Sequence, residues 1–450
     1  MKSTSTRMKR QTIVFFISAF FTIALLSACN KTNEPISQVK GGPYQPSSFS
    51  AEVIEKWMAM QVRLMKNAAG IPNQAFSRHY VYSGIAALES IAPSLPASGA
   101  WTKKWNGLSG LPQAEPAKSY YWPANVNAAL AAINRSMFPN ASPADLAAVD
   151  SLENILHQGF LAHHDPSVVA ASALFGKNVA DAVYAWAQTD GHQHASDPYT
   201  IPVGPGLWVP TSAAGPSTPY WGNNRPVITS SIVNTQPAAP ISYSTEVNSP
   251  FYNMVAEVNE ASQNLTPDQK AMAMFWRDVP GVTSPGHWLN ILRQTVLQTN
   301  TSLAKAALAY ALTGAAIHDG LISCWKTKYH FSLVRPVTYI RDVMGHTGWD
   351  TYLSTPPHPE YSSAHAVLST AAAEVFEKLF GNIGSFTDHT FDYMGLASRT
   401  YSSFAAIGRE ASESRFYAGI HYRPSIEAGI LQGKKVAGNI LSATAHSNQQ

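Results

Sequence analysis

From about residue 51 onward, apolar side chains recur every three to four positions, the period of an amphipathic helix. In 51–69 the apolar set Val53, Trp57, Met60, Val62 and Met65 is interleaved with charged residues. The same period predicts helices over 76–92, 124–137, 144–158, 168–188, 247–277, 285–298, 302–324, 362–380, 390–416 and 424–443. Ser142 followed by Pro143 supplies a cap and a first-turn proline, a favourable helix start. No segment alternates apolar and polar residues long enough to predict a strand, so the expected class is all-α. Residues 189–245 interrupt the pattern with clustered Pro and Gly around Trp208 and Trp221. A loop of that length in a compact protein usually serves a site or wraps a surface.

The first 48 residues read differently. Lys2, Arg7, Lys9 and Arg10 precede an apolar run at 13–26, which is followed by Leu26-Ser27-Ala28-Cys29. That run is shorter than the roughly 20 residues a spanning helix needs. The segment resembles a bacterial lipoprotein signal, which implies lipidation of Cys29 and a periplasmic or cell-surface protein, membrane-bound only through its lipid. The expected organisation is a signal over 1–28, a tether over 29–48, a helical region with the Pro/Gly-rich loop over 49–245, and a helical bundle with the chemistry over 246–445.

Removing the signal also changes the charge. Four of the 31 Lys/Arg lie in residues 1–28, which hold no acid, leaving 27 basic against 28 acidic residues. No basic tract points to nucleic acid. With Cys29 lipidated, Cys324 is the one remaining thiol and reads as a buried apolar residue.

Three blocks carry chemistry. Lys328 and Arg335 are seven apart, two helical turns, and on a continuous helix would share a face about 10 Å apart. Pro336 is expected to end that segment. Ser362-Ser363-Ala364-His365 follows a rigid Pro-rich loop and opens an Ala-rich helix, with Ser362 as the expected cap. The free N–H groups and dipole of such a helix start attract anions. Arg415 and His421 are six apart, with Gly419 between them able to end one helix before the next. Together the blocks suit an oxyanion such as phosphate or vanadate. His287, His330, His346 and His358 invite a zinc reading, but there is no H-E-x-x-H motif and no cysteine pair.

Read together, K-x6-R-P, S-S-A-H and S-R-x5-H resemble the signature of the vanadium-dependent haloperoxidase and type-2 phosphatidic acid phosphatase superfamily. The segments 275–278 and 284–288, and the loop around Trp208 and Trp221, are similar to its bacterial haloperoxidase branch. The resemblance implies a double four-helix-bundle fold. It further implies that Lys328, Arg335 and Arg415 hold the oxyanion, with Ser363 and the Ala364 amide adding hydrogen bonds. His421 would be the axial vanadium ligand or the phosphatase nucleophile, His365 the general acid–base, and Asp278 the group that orients His365. The implied activity is vanadate-dependent oxidation of halide by hydrogen peroxide. Hydrolysis of a phosphate monoester without vanadium, or oxyanion binding without catalysis, are the alternatives. The chain departs from the family pattern in two places: Ser362-Ser363-Ala364-His365 stands where the family has P-S-G-H, and Ser425 where it has the Asp four residues after the histidine.

Overall fold

The computed structural model describes residues 45–95, 101–279 and 282–445. The signal at 1–28, Cys29 and the tether up to residue 44 lie outside the described residues. From Pro43 onward the chain is one compact unit.

Five helices come first: α1 (Glu52–Asn67), α2 (Phe76–Ile91), α3 (Trp122–Met137), α4 (Pro143–Leu161) and α5 (Pro166–Ala187). After the long loop come α6 (Pro250–Gln263), α7 (Pro267–Phe275), α8 (Ser284–Gln298), α9 (Leu303–Phe331) and α10 (Pro336–Asp342). The last three are α11 (Ala364–Phe380), α12 (Phe404–Tyr417) and α13 (Arg423–Thr444). The all-α expectation holds. Among the described residues the regular sheet is one hairpin, β1 (Phe386–Asp388) and β2 (Arg399–Tyr401), antiparallel with Phe386 opposite Tyr401.

Helix α9 is the spine. It packs on α2 to one side and on α11 and α13 to the other. Around α2 gather α3 and α5, and around α11 gather α12 and α13. Two groups of helices thus share one continuous apolar core. The most apolar stretch of α9 is 94% buried, which explains its hydropathy as that of a core helix. Glycines allow the close crossings. A Cβ on Gly84 of α2 would lie 2.6 Å from the Tyr310 carbonyl carbon, and one on Gly314 of α9 would lie 2.7 Å from Val81 Cα.

Several predicted boundaries shift, each for a local reason. The helix expected over 247–277 is broken, because Thr266 caps α7 with a reciprocal Thr266–Gln269 capping box and Pro267 takes its first position. The segment expected to be helical from residue 390 starts at Phe404, and the β1–β2 hairpin occupies the space before it. Strands of three residues are too short to show alternation. Helix α9 runs seven residues past its expected end, to Phe331. The Pro/Gly-rich loop is pinned along its length. Trp208 donates its backbone N–H to the Ser332 carbonyl (2.7 Å), Ser217 to the Pro357 carbonyl (2.8 Å), and Val227 to Asp319 Oδ1 (2.8 Å).

Candidate active site

Lys328 and Arg335 converge, but not along one helix face. Lys328 lies in the last turn of α9, which ends where Ser332 adopts φ 46°. Arg335 is the residue before α10, and Pro336 starts that helix instead of stopping one. Lys328 Nζ donates to the carbonyls of Pro359 (3.0 Å) and Glu360 (2.9 Å). Arg335 Nε donates to the His358 carbonyl (3.0 Å) and Nη1 to the Ile420 carbonyl (2.7 Å). Both side chains are fully buried.

Helix α11 begins one residue later than expected. Ser363 is its cap position, yet its hydroxyl caps nothing and is buried with no partner. Ser362 instead donates its hydroxyl to Gln432 Oε1 (2.6 Å). Ala364 and His365 are the first two helical residues, whose N–H groups have no acceptor within the helix. Arg415, in the last turn of α12, donates Nη1 to the Trp276 carbonyl (3.1 Å) and leaves a buried Nε without a partner. Gly419, at φ 78°, reverses the chain after α12 and brings His421 back into the site, two residues before α13.

His421 is held by a residue that the sequence reading missed. Its Nδ1 lies 2.7 Å from Glu360 Oε1, which also accepts the Tyr422 N–H at 3.0 Å. Ser425, at the position of the family aspartate, donates its hydroxyl to Glu360 Oε2 (2.7 Å). The signal for Glu360 was its place in the Pro-rich loop directly before Ser362. The other ring nitrogen, His421 Nε2, has one long contact, 3.4 Å to Arg335 Nη1.

His365 and Asp278 are brought close without touching. His365 Nε2 is 2.8 Å from Ser284 Oγ and 3.0 Å from the Trp276 carbonyl, but 3.8 Å from Asp278 Oδ1. Asp278 Oδ1 in turn accepts the Ser284 backbone N–H at 3.2 Å. The Ser284 hydroxyl, 3.4 Å from Asp278 Oδ1, stands between the carboxylate and the imidazole, and Ser284 was not singled out from sequence.

The remaining histidines divide. His287 pairs with Asp388 (2.6 Å) and stacks on Trp276 at 4.3 Å, behind the site. His330 meets Phe331 edge to face at 4.6 Å. His358, close in sequence to the Ser362–His365 block, lines the cavity, its Nδ1 3.0 Å from Arg335 Nη2. No three metal-ligating side chains cluster among the described residues.

Electrostatically, the site gathers three buried basic side chains, Lys328, Arg335 and Arg415. Burial pushes Lys328 down to about 7 and Arg335 to about 10, and also lowers Arg415. Burial first, then the Arg415 charge, takes His365 down to about 3. Burial and the neighbouring cations hold His358 and His421 well below the usual imidazole range. A bound oxyanion would offset these penalties. The cavity is about 210 Å³ and is lined by His358, Ala364, His365, Arg415, His421, Ser284 and Trp325 among others.

Comparison with known proteins gives a consistent picture. A family model described as the VCPO second helical-bundle domain matches residues 308–449. No curated protein matches the chain. A solved structure described as the first bacterial vanadium-dependent iodoperoxidase is similar, with a TM-score of 0.78 and 29% identity over 90% of this chain and 98% of that one. Two structures of bacterial vanadium-dependent chloroperoxidase share the fold. The holo form has a TM-score of 0.60 and 17% identity over 84% of this chain and 94% of that one. The apo form has 0.65 and 16%, over 89% and 99%.

Proposed function

Because the chain belongs to the superfamily of vanadium-dependent haloperoxidases and type-2 phosphatidic acid phosphatases, we propose that it oxidises halide with hydrogen peroxide by means of a bound vanadate. One observation carries the reading. Buried Lys328, Arg335 and Arg415 surround an imidazole whose Nδ1 is tied down, while the Ser363 hydroxyl and Arg415 Nε are buried and unpartnered. Leaving such donors without acceptors costs about 1–3 kcal/mol each, and an oxyanion would satisfy them. The residues present therefore fit vanadate.

Lys328, Arg335 and Arg415 would hold its oxygens, Ser363 and the Ala364 N–H would add hydrogen bonds, and His421 Nε2 would bind the metal. When bound, vanadate supplies a Lewis-acidic centre that activates peroxide toward a halide. The protein contributes a fixed field: three basic side chains and amide dipoles already oriented and buried. His365, kept neutral by burial, can accept a proton at the ring nitrogen not held by Ser284 and the Trp276 carbonyl. Ser284 and Asp278 keep that ring in place. The same proposal puts the enzyme outside the cytoplasmic membrane on a lipid at Cys29, so Cys29→Ser should abolish incorporation of labelled fatty acid.

The test is direct. Protein loaded with vanadate is assayed with peroxide and each halide, and vanadate-free protein with a phosphate monoester. Halide oxidation dependent on vanadate and lost in His421→Ala is expected. Phosphate release with no halide oxidation would replace this reading with the phosphatase one. Activity in neither assay, with vanadate still bound, would leave an oxyanion-binding protein.

A further inference from the structure

We propose that Glu360 is the positioning residue for His421, holding the proton on Nδ1 so that Nε2 is presented bare to the oxyanion. The inference rests on the oxyanion site described above. Glu360 has no solvent exposure. Its Oε1 faces His421 Nδ1 (2.7 Å) and the Tyr422 N–H (3.0 Å), and its Oε2 faces the Ser425 hydroxyl (2.7 Å).

The Tyr422 N–H can only donate, which fixes Oε1 as an acceptor. Burial pushes the Glu360 carboxyl up from its usual range, while the Ser425 hydroxyl and the Arg335 and Lys328 charges offset part of that, and an ionised carboxylate accepts at every lone pair. An acceptor 2.7 Å from Nδ1 requires a hydrogen there, and a neutral imidazole then has its lone pair on Nε2. That atom lies 3.4 Å from Arg335 Nη1, and His421 lines the cavity.

Ser425 gains a role from this. A serine hydroxyl could not by itself supply an anionic partner for the ring. As a donor to Glu360 Oε2 it instead fixes the rotamer of a carboxylate brought in by the loop before α11. The main chain of Glu360 contributes as well, since its carbonyl accepts from Lys328 Nζ (2.9 Å). One residue therefore places the Lys328 ammonium with its backbone and the His421 imidazole with its side chain. Groups of this kind, hydrogen-bonded to a metal-binding histidine, typically account for 10–100-fold in affinity.

Glu360→Gln separates charge from shape. The amide oxygen can still accept from His421 and Tyr422, and the amide nitrogen can donate to Ser425 by reversing that hydroxyl. Three measurements on the full chain decide the matter: orthovanadate affinity by titration calorimetry, the thermal midpoint of vanadate-free protein, and the ¹⁵N imidazole shifts of His421 without vanadate. The expected result is an Nδ1–H tautomer in the wild type. Vanadate binding should be ~10–100-fold weaker in Glu360→Gln, with a nearly unchanged midpoint. In Glu360→Ala the tautomers should mix; if that variant does not fold, the glutamine variant and the wild-type shifts suffice. Wild-type His421 protonated on Nε2 instead, or Glu360→Gln binding vanadate within twofold of wild type, would overturn the proposal. Wild-type protein that binds vanadate but oxidises no halide would sink the haloperoxidase reading and leave the role of Glu360 standing. The tautomer readout decides even if the wild type binds no vanadate.

Discussion

The Ser363 hydroxyl occupies the cap position of α11, where serine normally accepts a backbone N–H, yet it makes no such bond. A serine kept at a cap but not capping is available to a ligand. Ser363→Ala should therefore weaken vanadate binding about 10-fold or more, the scale of a hydrogen bond to a charged group, while the thermal midpoint of the empty protein hardly moves. Calorimetric titration checks the first and a melting curve the second. Ser284 offers a contrasting case. Its hydroxyl lies between Asp278 and His365 and does not touch the cation set. Ser284→Ala should lower kcat about 10-fold or more and displace the acid limb of the pH–rate profile, with vanadate affinity within twofold of wild type. An unchanged profile would place Asp278 and Ser284 outside the proton path. Sequence order concealed this arrangement. Asp278 and His365 are 87 positions apart, and nothing in the spacing of Ser284 shows which atom would stand between them.

At the scale of elements, the site is a meeting of helix ends. The start of α11, the end of α12, the approach to α13 and the turn between α9 and α10 all converge there. What sets the position of α11 is its crossing with α13. A Cβ on Gly433 would sit 2.3 Å from the Val367 carbonyl oxygen, and one on Gly429 would sit 2.8 Å from the Ser363 carbonyl oxygen. Backbone cannot yield there as a side chain could. Gly433→Ala should cost about 1–3 kcal/mol or more, read as a lower denaturant midpoint. It should also weaken vanadate binding, because α11 carries Ser363 and the Ala364 N–H. A stable Gly433→Ala protein with unaltered vanadate affinity would show that the crossing does not position the site. Helix periods were legible for most of these elements. Their ends were not, because a proline such as Pro336 reads as a stop or as a start depending on what precedes it in space.

Across the whole molecule, buried imidazoles make stability depend on pH. Burial takes His79 down to about 4 and His318 and His365 to about 3, against 6.5 when unfolded. The unfolded chain therefore binds more protons than the folded one between pH 6.5 and about 4. Stability is full above 6.5 and falls as the solution is acidified through that window, by roughly 1.4 kcal/mol per pH unit for each such histidine. Urea midpoints of vanadate-free protein measured from pH 7 to 4 should decline accordingly, and His318→Asn should flatten the decline. Residue order alone determined the helical class and marked the three blocks, because helix period and side-chain chemistry are local properties. Tertiary structure decided which carboxylate serves which histidine: Glu360 for His421, and Asp278 for His365 only through Ser284. Such pairings are set by distances of a few ångströms between segments remote in sequence, and only packing fixes those.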